Sequence, residues 1–149
     1  MSGKTYIANC PGCGKEHCAN FGASSLCTPG NLLVASFRTG GKPLIKQLIR
    51  SQKMAGLALK IASDGAWLEP GFGYCAYTCR NCRRILTRFR LRLAKDDGTV
   101  WEPEYKCGKC RGKLTAVTEQ ELASEQILCA CGAEFSGKNI ISGDVEEWD

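Results

Sequence analysis

The chain has a single histidine, His17, among its 149 residues. A hydrolytic metal centre built on several imidazoles is thereby excluded. His17 is followed by Cys18 and Ala19, so the His-x-Glu element of a zinc deaminase is missing too. There is no P-loop, no Gly-x-Ser-x-Gly turn and no Gly-x-Gly-x-x-Gly run opening a helix, which removes the common phosphate-cradle and serine-nucleophile enzymes. No apolar run approaches the roughly 20 residues of a membrane span, so no membrane partner is expected. The opening MSGKTYIANC has no basic segment leading into an apolar one, which argues against a secretory signal and for a reducing, cytoplasmic compartment. Phe, Leu, Ile and Val are modest in number, so the core is thin and needs a staple.

What the chain has is cysteine, eleven of them beside 17 glycines. Eight fall into close pairs: Cys10 with Cys13, Cys79 with Cys82, Cys107 with Cys110, and Cys129 with Cys131. The odd total and the Cys-x2-Cys spacing argue against a disulfide framework, because a tight turn points both sulfurs the same way. Two such knuckles supply the four thiolates of a tetrahedral zinc, so two zincs are expected. His17, Cys18, Cys27 and Cys75 complete twelve candidate ligands, enough for a third zinc. The plain alternative for those three cysteines is that they are small buried hydrophobes.

Zinc corrects the charge. The formal net charge is +5; thiolates bind deprotonated, each four-thiolate zinc carries about −2, and two centres bring the total to about +1. Charge is instead polarised along the chain. Residues 76–117 hold eleven Lys/Arg and four Asp/Glu, whereas residues 118–149 hold one and eight. A basic body ends in an acidic tail with one exposed-looking aromatic, Trp148.

Local patterns give a coarse map. Pro43 and the apolar Leu44, Ile45, Leu48 and Ile49 predict an amphipathic helix ending near Gly56. Leu57, Leu59 and Ile61 alternate with Ala58, Lys60 and Ala62, which predicts a strand turned by Asp64-Gly65 into a return strand at Ala66–Leu68. Arg88, Arg90 and Arg92 alternate with Phe89, Leu91 and Leu93 in the strictest strand pattern of the chain, turned by Lys95–Gly98. Thr118 and Glu121 form a capping-box pattern before a short helix over TEQELASEQI. Residues 64–86 weakly repeat in 97–114: an Asp-Gly, a Trp, a Glu and a Pro precede a Tyr and a Cys-x2-Cys-Arg knuckle.

The fold expected is small, β-rich α+β: zinc-stabilised tandem ribbon-like units with an inserted amphipathic helix and β-hairpin. Its segments are a knuckle region at 1–27, the insert at 28–76, a ribbon with the Arg-rich strand at 77–117, and a C-terminal knuckle with acidic tail at 118–149, together one compact unit. Spacing leaves the pairing open. Cys79/Cys82 with Cys107/Cys110 leaves Cys10/Cys13 to close with Cys129/Cys131, or locally with Cys18 or His17 and Cys27; a sequential scheme pairs Cys10/Cys13 with Cys79/Cys82 and Cys107/Cys110 with Cys129/Cys131.

Under the first pairing, Cys79-x2-Cys82-x24-Cys107-x2-Cys110 with its hairpin resembles the C-terminal zinc ribbon of transcription elongation factor S and related RNA polymerase subunits. The resemblance covers residues 77–114. It implies the ribbon fold, and that an acidic pair at the hairpin tip, here Asp96-Asp97, brings a metal to polymerase. The plainer account of Asp96-Asp97 is a polar turn ended by Gly98.

If Phe89, Leu91 and Leu93 pack inward, the guanidinium groups of Arg88, Arg90 and Arg92 stand about 6–7 Å apart on one face, close to a phosphate repeat. Arg80, Arg83 and Arg84 extend the patch from the knuckle. The expected function is non-enzymatic: a zinc ribbon binding nucleic acid, or a nucleic-acid-handling complex, through these six arginines. The alternative is a protein-binding or assembly component that offers an acidic protein surface a rigid dock. Either partner places the chain in a larger complex with no small-molecule substrate.

Overall fold

In the computed structural model, which describes residues 3–35 and 37–149, antiparallel strands dominate. The hairpin of β1 (Gly3–Asn9) and β2 (Glu16–Gly22) turns at the first cysteine knuckle. A second hairpin, β4 (Gly73–Cys79) with β5 (Arg84–Arg90), turns at the Cys79 knuckle. With β11 (Asp144–Trp148) they form one sheet in the order β11-β1-β2-β4-β5, and β8 (Thr115–Val117) pairs with β4. The knuckles are thus the hairpin turns themselves.

The sheet has a sharp corner. β2 and β4 meet at one residue pair, Gly22 with Tyr74, and then part. Two glycines make the approach possible: a Cβ on Gly73 would lie 2.8 Å from the Gly22 backbone. β2 then comes close to β5, where the Asn20 N–H donates to the Thr87 hydroxyl (3.3 Å). Tyr6, Phe21, Tyr77, Phe89, Leu122, Ile127 and Ile140 are buried in the one core cluster that results.

The segment before β4 differs from its expected form. α1 (Pro29–Leu33) precedes α2 (Ile45–Leu48), a single turn that stops at Ile49, and a new helix, α3, covers Gln52–Ser63. Ser51 starts α3 by accepting from the Met54 N–H (3.2 Å). Gly56 therefore lies inside a helix, at a cost of about 1 kcal/mol relative to Ala, and residues 57–62 are helical, not a strand. The alternation of Leu57, Leu59 and Ile61 misleads because Ala55 and Ala58, three apart, are the fully buried positions. Asp64-Gly65 closes this helix and makes no hairpin: the Asp64 N–H reaches the Lys60 carbonyl (3.0 Å).

β3 (Trp67–Leu68) instead pairs with β6 (Leu93–Ala94), whose other side takes β7 (Val100–Trp101). Trp67 and Val100 both lie opposite Ala94, and Leu68 and Trp101 both lie opposite Leu93. The two copies of the weak repeat flank one short strand. Their glutamates, Glu69 and Glu102, both reach Arg92 (3.4 and 3.7 Å). Their tyrosines, Tyr77 and Tyr105, meet edge to face at 5.1 Å. The Arg-alternating run breaks after Arg90, yet Phe89, Leu91 and Leu93 are all buried as the alternation predicts.

The C-terminal half holds α4 (Glu119–Leu122), with a complete Thr118/Glu121 capping box, the hairpin β9 (Gln126–Leu128) and β10 (Glu134–Ser136) around the Cys129 knuckle, and α5 (Lys138–Ile141). Helix over TEQELASEQI stops at Leu122, and Gln126–Leu128 is strand. The acidic end is not a loose tail. It is β11, an edge strand on β1, with the Trp148 indole N–H donating to Thr5 (3.0 Å) and the ring set edge-on against Tyr74. It lies at the opposite end of the sheet from β5.

Gly73→Ala should destabilise the zinc-loaded protein by about 2 kcal/mol, since the corner admits no Cβ without shifting backbone. A urea titration reads this out; an unchanged midpoint would mean that the corner is not tight.

Candidate metal centres and their basic surroundings

The eight paired cysteines gather into two groups, Cys10/Cys13/Cys129/Cys131 and Cys79/Cys82/Cys107/Cys110, with all four sulfurs of each within 4.8 Å of one another. The sequential pairing is excluded. Sulfur separations are 3.7 Å for Cys10–Cys131, 3.6 Å for Cys13–Cys129, 3.4 Å for Cys79–Cys110 and 4.0 Å for Cys82–Cys107. A disulfide needs about 2 Å. A tetrahedron of sulfurs each about 2.3 Å from zinc has edges of about 3.8 Å. The donor sets therefore fit two four-thiolate, zinc-ribbon-like metal sites.

His17, Cys18, Cys27 and Cys75 do not assemble into a third group among the described residues. His17 stacks against Phe135 (ring centroids 5.0 Å), and Cys18 is exposed. Cys27 and Cys75 are buried, and the Cys75 thiol donates to the Val117 carbonyl (3.2 Å).

Each knuckle closes the same way. The residue after its second cysteine has positive φ: Gly14 (76°), Arg83 (54°), Arg111 (60°) and Gly132 (92°). This left-handed step closes the turn, and within the knuckles the N–H groups of Gly12, Cys82 and Gly112 lie 3.3–3.4 Å from the sulfurs of Cys10, Cys79 and Cys110. Glycine takes that conformation freely, whereas arginine pays roughly 1–2 kcal/mol.

The N–H donors prepare thiolates. Backbone donors of its knuckle, first that of Cys110, hold the Cys107 thiol down to about 6. The N–H of Cys13 leads in holding Cys10 down to about 7. Sharing with the Cys110 sulfur, then burial, pushes Cys82 up to about 12. One thiolate forms readily and the last only beside a cation, so metal binding displaces protons and acid opposes it.

The two centres differ outside their ligands. Arg84 places a guanidinium nitrogen 3.6 Å from the Cys107 sulfur, and the Asn81 amide lies 4.0 Å from Cys110. The geometry gives Arg84 a task at the metal: it offsets part of the charge of four thiolates.

The remaining expected phosphate contacts are largely engaged inside the protein. Arg80 meets Glu125 (3.7 Å), Arg83 meets Glu134 (2.6 Å), Arg90 meets Glu102 (3.0 Å), and Arg92 meets Glu69 and Glu102. Arg88 turns back onto the Thr87 carbonyl (2.8 Å). Asp97 accepts from the Thr99 N–H (2.9 Å) and hydroxyl, so it serves the turn before Gly98.

The Cys107/Cys110 knuckle is a basic element that the six arginines expected from the sequence do not include. Lys106, Lys109, Arg111 and Lys113 surround Cys107 and Cys110, and only Lys113 has an ion pair among the described residues, with Glu104 at 3.3 Å. The signal was the string KCGKCRGK. No family model matches this chain, and neither does a curated protein or a solved structure.

Arg84→Met should weaken metal binding at Cys79/Cys82/Cys107/Cys110 by about 10–100-fold and leave the other centre unchanged. Competition with a graded series of chelators measures both affinities; equal loss at both centres, or none, would contradict the role given to Arg84.

Proposed function

We propose that the chain is a non-enzymatic, tandem zinc-ribbon protein that binds nucleic acid. One observation carries this reading. The centre at Cys79/Cys82/Cys107/Cys110 brings two basic knuckles side by side, Arg80, Arg83 and Arg84 on one and Lys106, Lys109, Arg111 and Lys113 on the other. Seven cations around one metal site exceed what solubility requires, and among the described residues three of them meet a carboxylate. The pairs that do exist are at the surface, where each is worth about 1 kcal/mol or less, so a polyanion competes with them. The hairpin and spacing of residues 77–114 support the likeness to the elongation-factor ribbon. The four-cysteine donor sets support structural metals, because a catalytic zinc keeps a position open for substrate.

A second reading, an assembly component, draws on the opposite end of the sheet. β11 is an unpaired edge carrying Asp144, Glu146 and Glu147, all exposed. That edge fits a basic protein partner and repels nucleic acid.

Titration of a labelled oligonucleotide with the zinc-loaded protein separates the two. The nucleic-acid reading predicts binding that weakens by at least tenfold between about 50 and 200 mM salt. Absence of binding at low salt would leave the assembly reading, which a pull-down of basic proteins sensitive to Glu146→Lys/Glu147→Lys would then support.

A further inference from the structure

A cleft of about 640 Å³ is lined by residues of β2, β5 and β9 and by one cysteine of each four-cysteine group, Cys82 and Cys129. Its size falls within the roughly 300–1,000 Å³ of ordinary ligand clefts. Three cations line it, Lys15, Arg84 and Lys109, against one acid, Glu16. Lys15 and Lys109 are exposed and have no ion pair among the described residues. Here the lining differs from Arg90 and Arg92, which meet Glu69 and Glu102.

The polar groups of the cleft point to the same kind of ligand. The His17 Nε2 is shielded from solvent and has no hydrogen-bond partner among the described residues. The Asn20 amide oxygen accepts from the Thr5 hydroxyl and the Thr87 hydroxyl accepts from the Asn20 backbone N–H, which leaves the Asn20 amide NH2 and the Thr87 O–H as donors in the lining. Imidazole, amide, hydroxyl and ammonium groups together match phosphate and sugar oxygens. No tryptophan, tyrosine or phenylalanine lines the cleft, so it has no platform for stacked bases. A duplex does not enter a space of this size; one strand does.

We propose that the cleft between the two four-cysteine centres seats the phosphodiester backbone of a single-stranded nucleic acid, with Lys15 and Lys109 as its phosphate contacts. The site rests on the nucleic-acid reading above and narrows it: binding is independent of sequence. Lys15 stands two residues after Cys13 and Lys109 one before Cys110, so a metal in each four-cysteine group would hold one of the two lysines.

The test uses zinc-loaded protein and a labelled 15-nucleotide oligothymidylate. Lys15→Glu/Lys109→Glu, two exposed positions that are not ligands, should lower affinity by at least tenfold at about 50 mM salt. The slope of log affinity against log salt should flatten by about 1.4, two contacts at 0.7 each. Arg88→Ala/Arg90→Ala/Arg92→Ala should stay within about twofold. Zinc counts on each variant establish that the centres are intact. Cys18 supplies a second readout that needs no variant. It is the exposed cysteine outside both ligand sets and it lines the cleft. Saturating oligonucleotide should slow its alkylation by maleimide at least fivefold, read by mass spectrometry.

Loss of binding in the triple arginine variant, with the double lysine variant and Cys18 alkylation unaffected, would overturn the cleft and keep the nucleic-acid reading. No binding by the unaltered protein at low salt would overturn both.

Discussion

Eight sulfurs held in two groups of four, each within van der Waals reach of the others, make an arrangement that apolar packing alone does not sustain. As thiolates they repel; as thiols they bury poor donors against one another. A divalent cation in each group would turn the repulsion into a strong attraction, and its binding free energy would become folding free energy. The remainder of the fold follows from where those groups sit. One joins the knuckle of β1–β2 to that of β9–β10 and so ties the two ends of the chain together. The other joins the β4–β5 turn to the loop at Cys107, with the paired tyrosines Tyr77 and Tyr105 directly behind it.

Charge is arranged around the same frame. The sheet runs from the acidic edge strand β11 to the Arg-rich edge strand β5, so the polarity seen along the chain becomes polarity across the molecule. Near β5 much of the positive charge is met by Glu69 and Glu102, which come from equivalent places in the two copies of the weak repeat. At the metal centre the balance differs: Arg84 leans on a thiolate, while Lys109 and Arg111 meet no carboxylate among the described residues.

The metal ligands were legible because thiolate chemistry demands a local spacing, and that spacing survives in any fold. Their pairing was not, since it depends on which hairpins become neighbours. The strand face of Phe89, Leu91 and Leu93 was legible for the same local reason, and its burial follows the alternation. The segment 52–63 was misread because alternation over six residues suits a strand and a helix equally, and the deciding contacts are made by two alanines that carry little weight in a pattern. The arginines were legible as charge but not as commitments: Glu125 and Glu134 lie far along the chain from the residues they meet. Arg83 and Arg111 in left-handed conformation had no signature except their place after a knuckle, where Gly14 and Gly132 stand in the other two.

Counting zinc in three proteins by native mass spectrometry tests the central claim most directly. The unaltered chain should carry two zincs; Cys10→Ala/Cys129→Ala, which strips one centre, should keep about one; and Cys10→Ala/Cys82→Ala, which damages both, should keep about none against a competing chelator. Fewer than two zincs in the unaltered chain, or one zinc retained by the second variant and none by the first, would contradict the arrangement on which the rest of the structure depends.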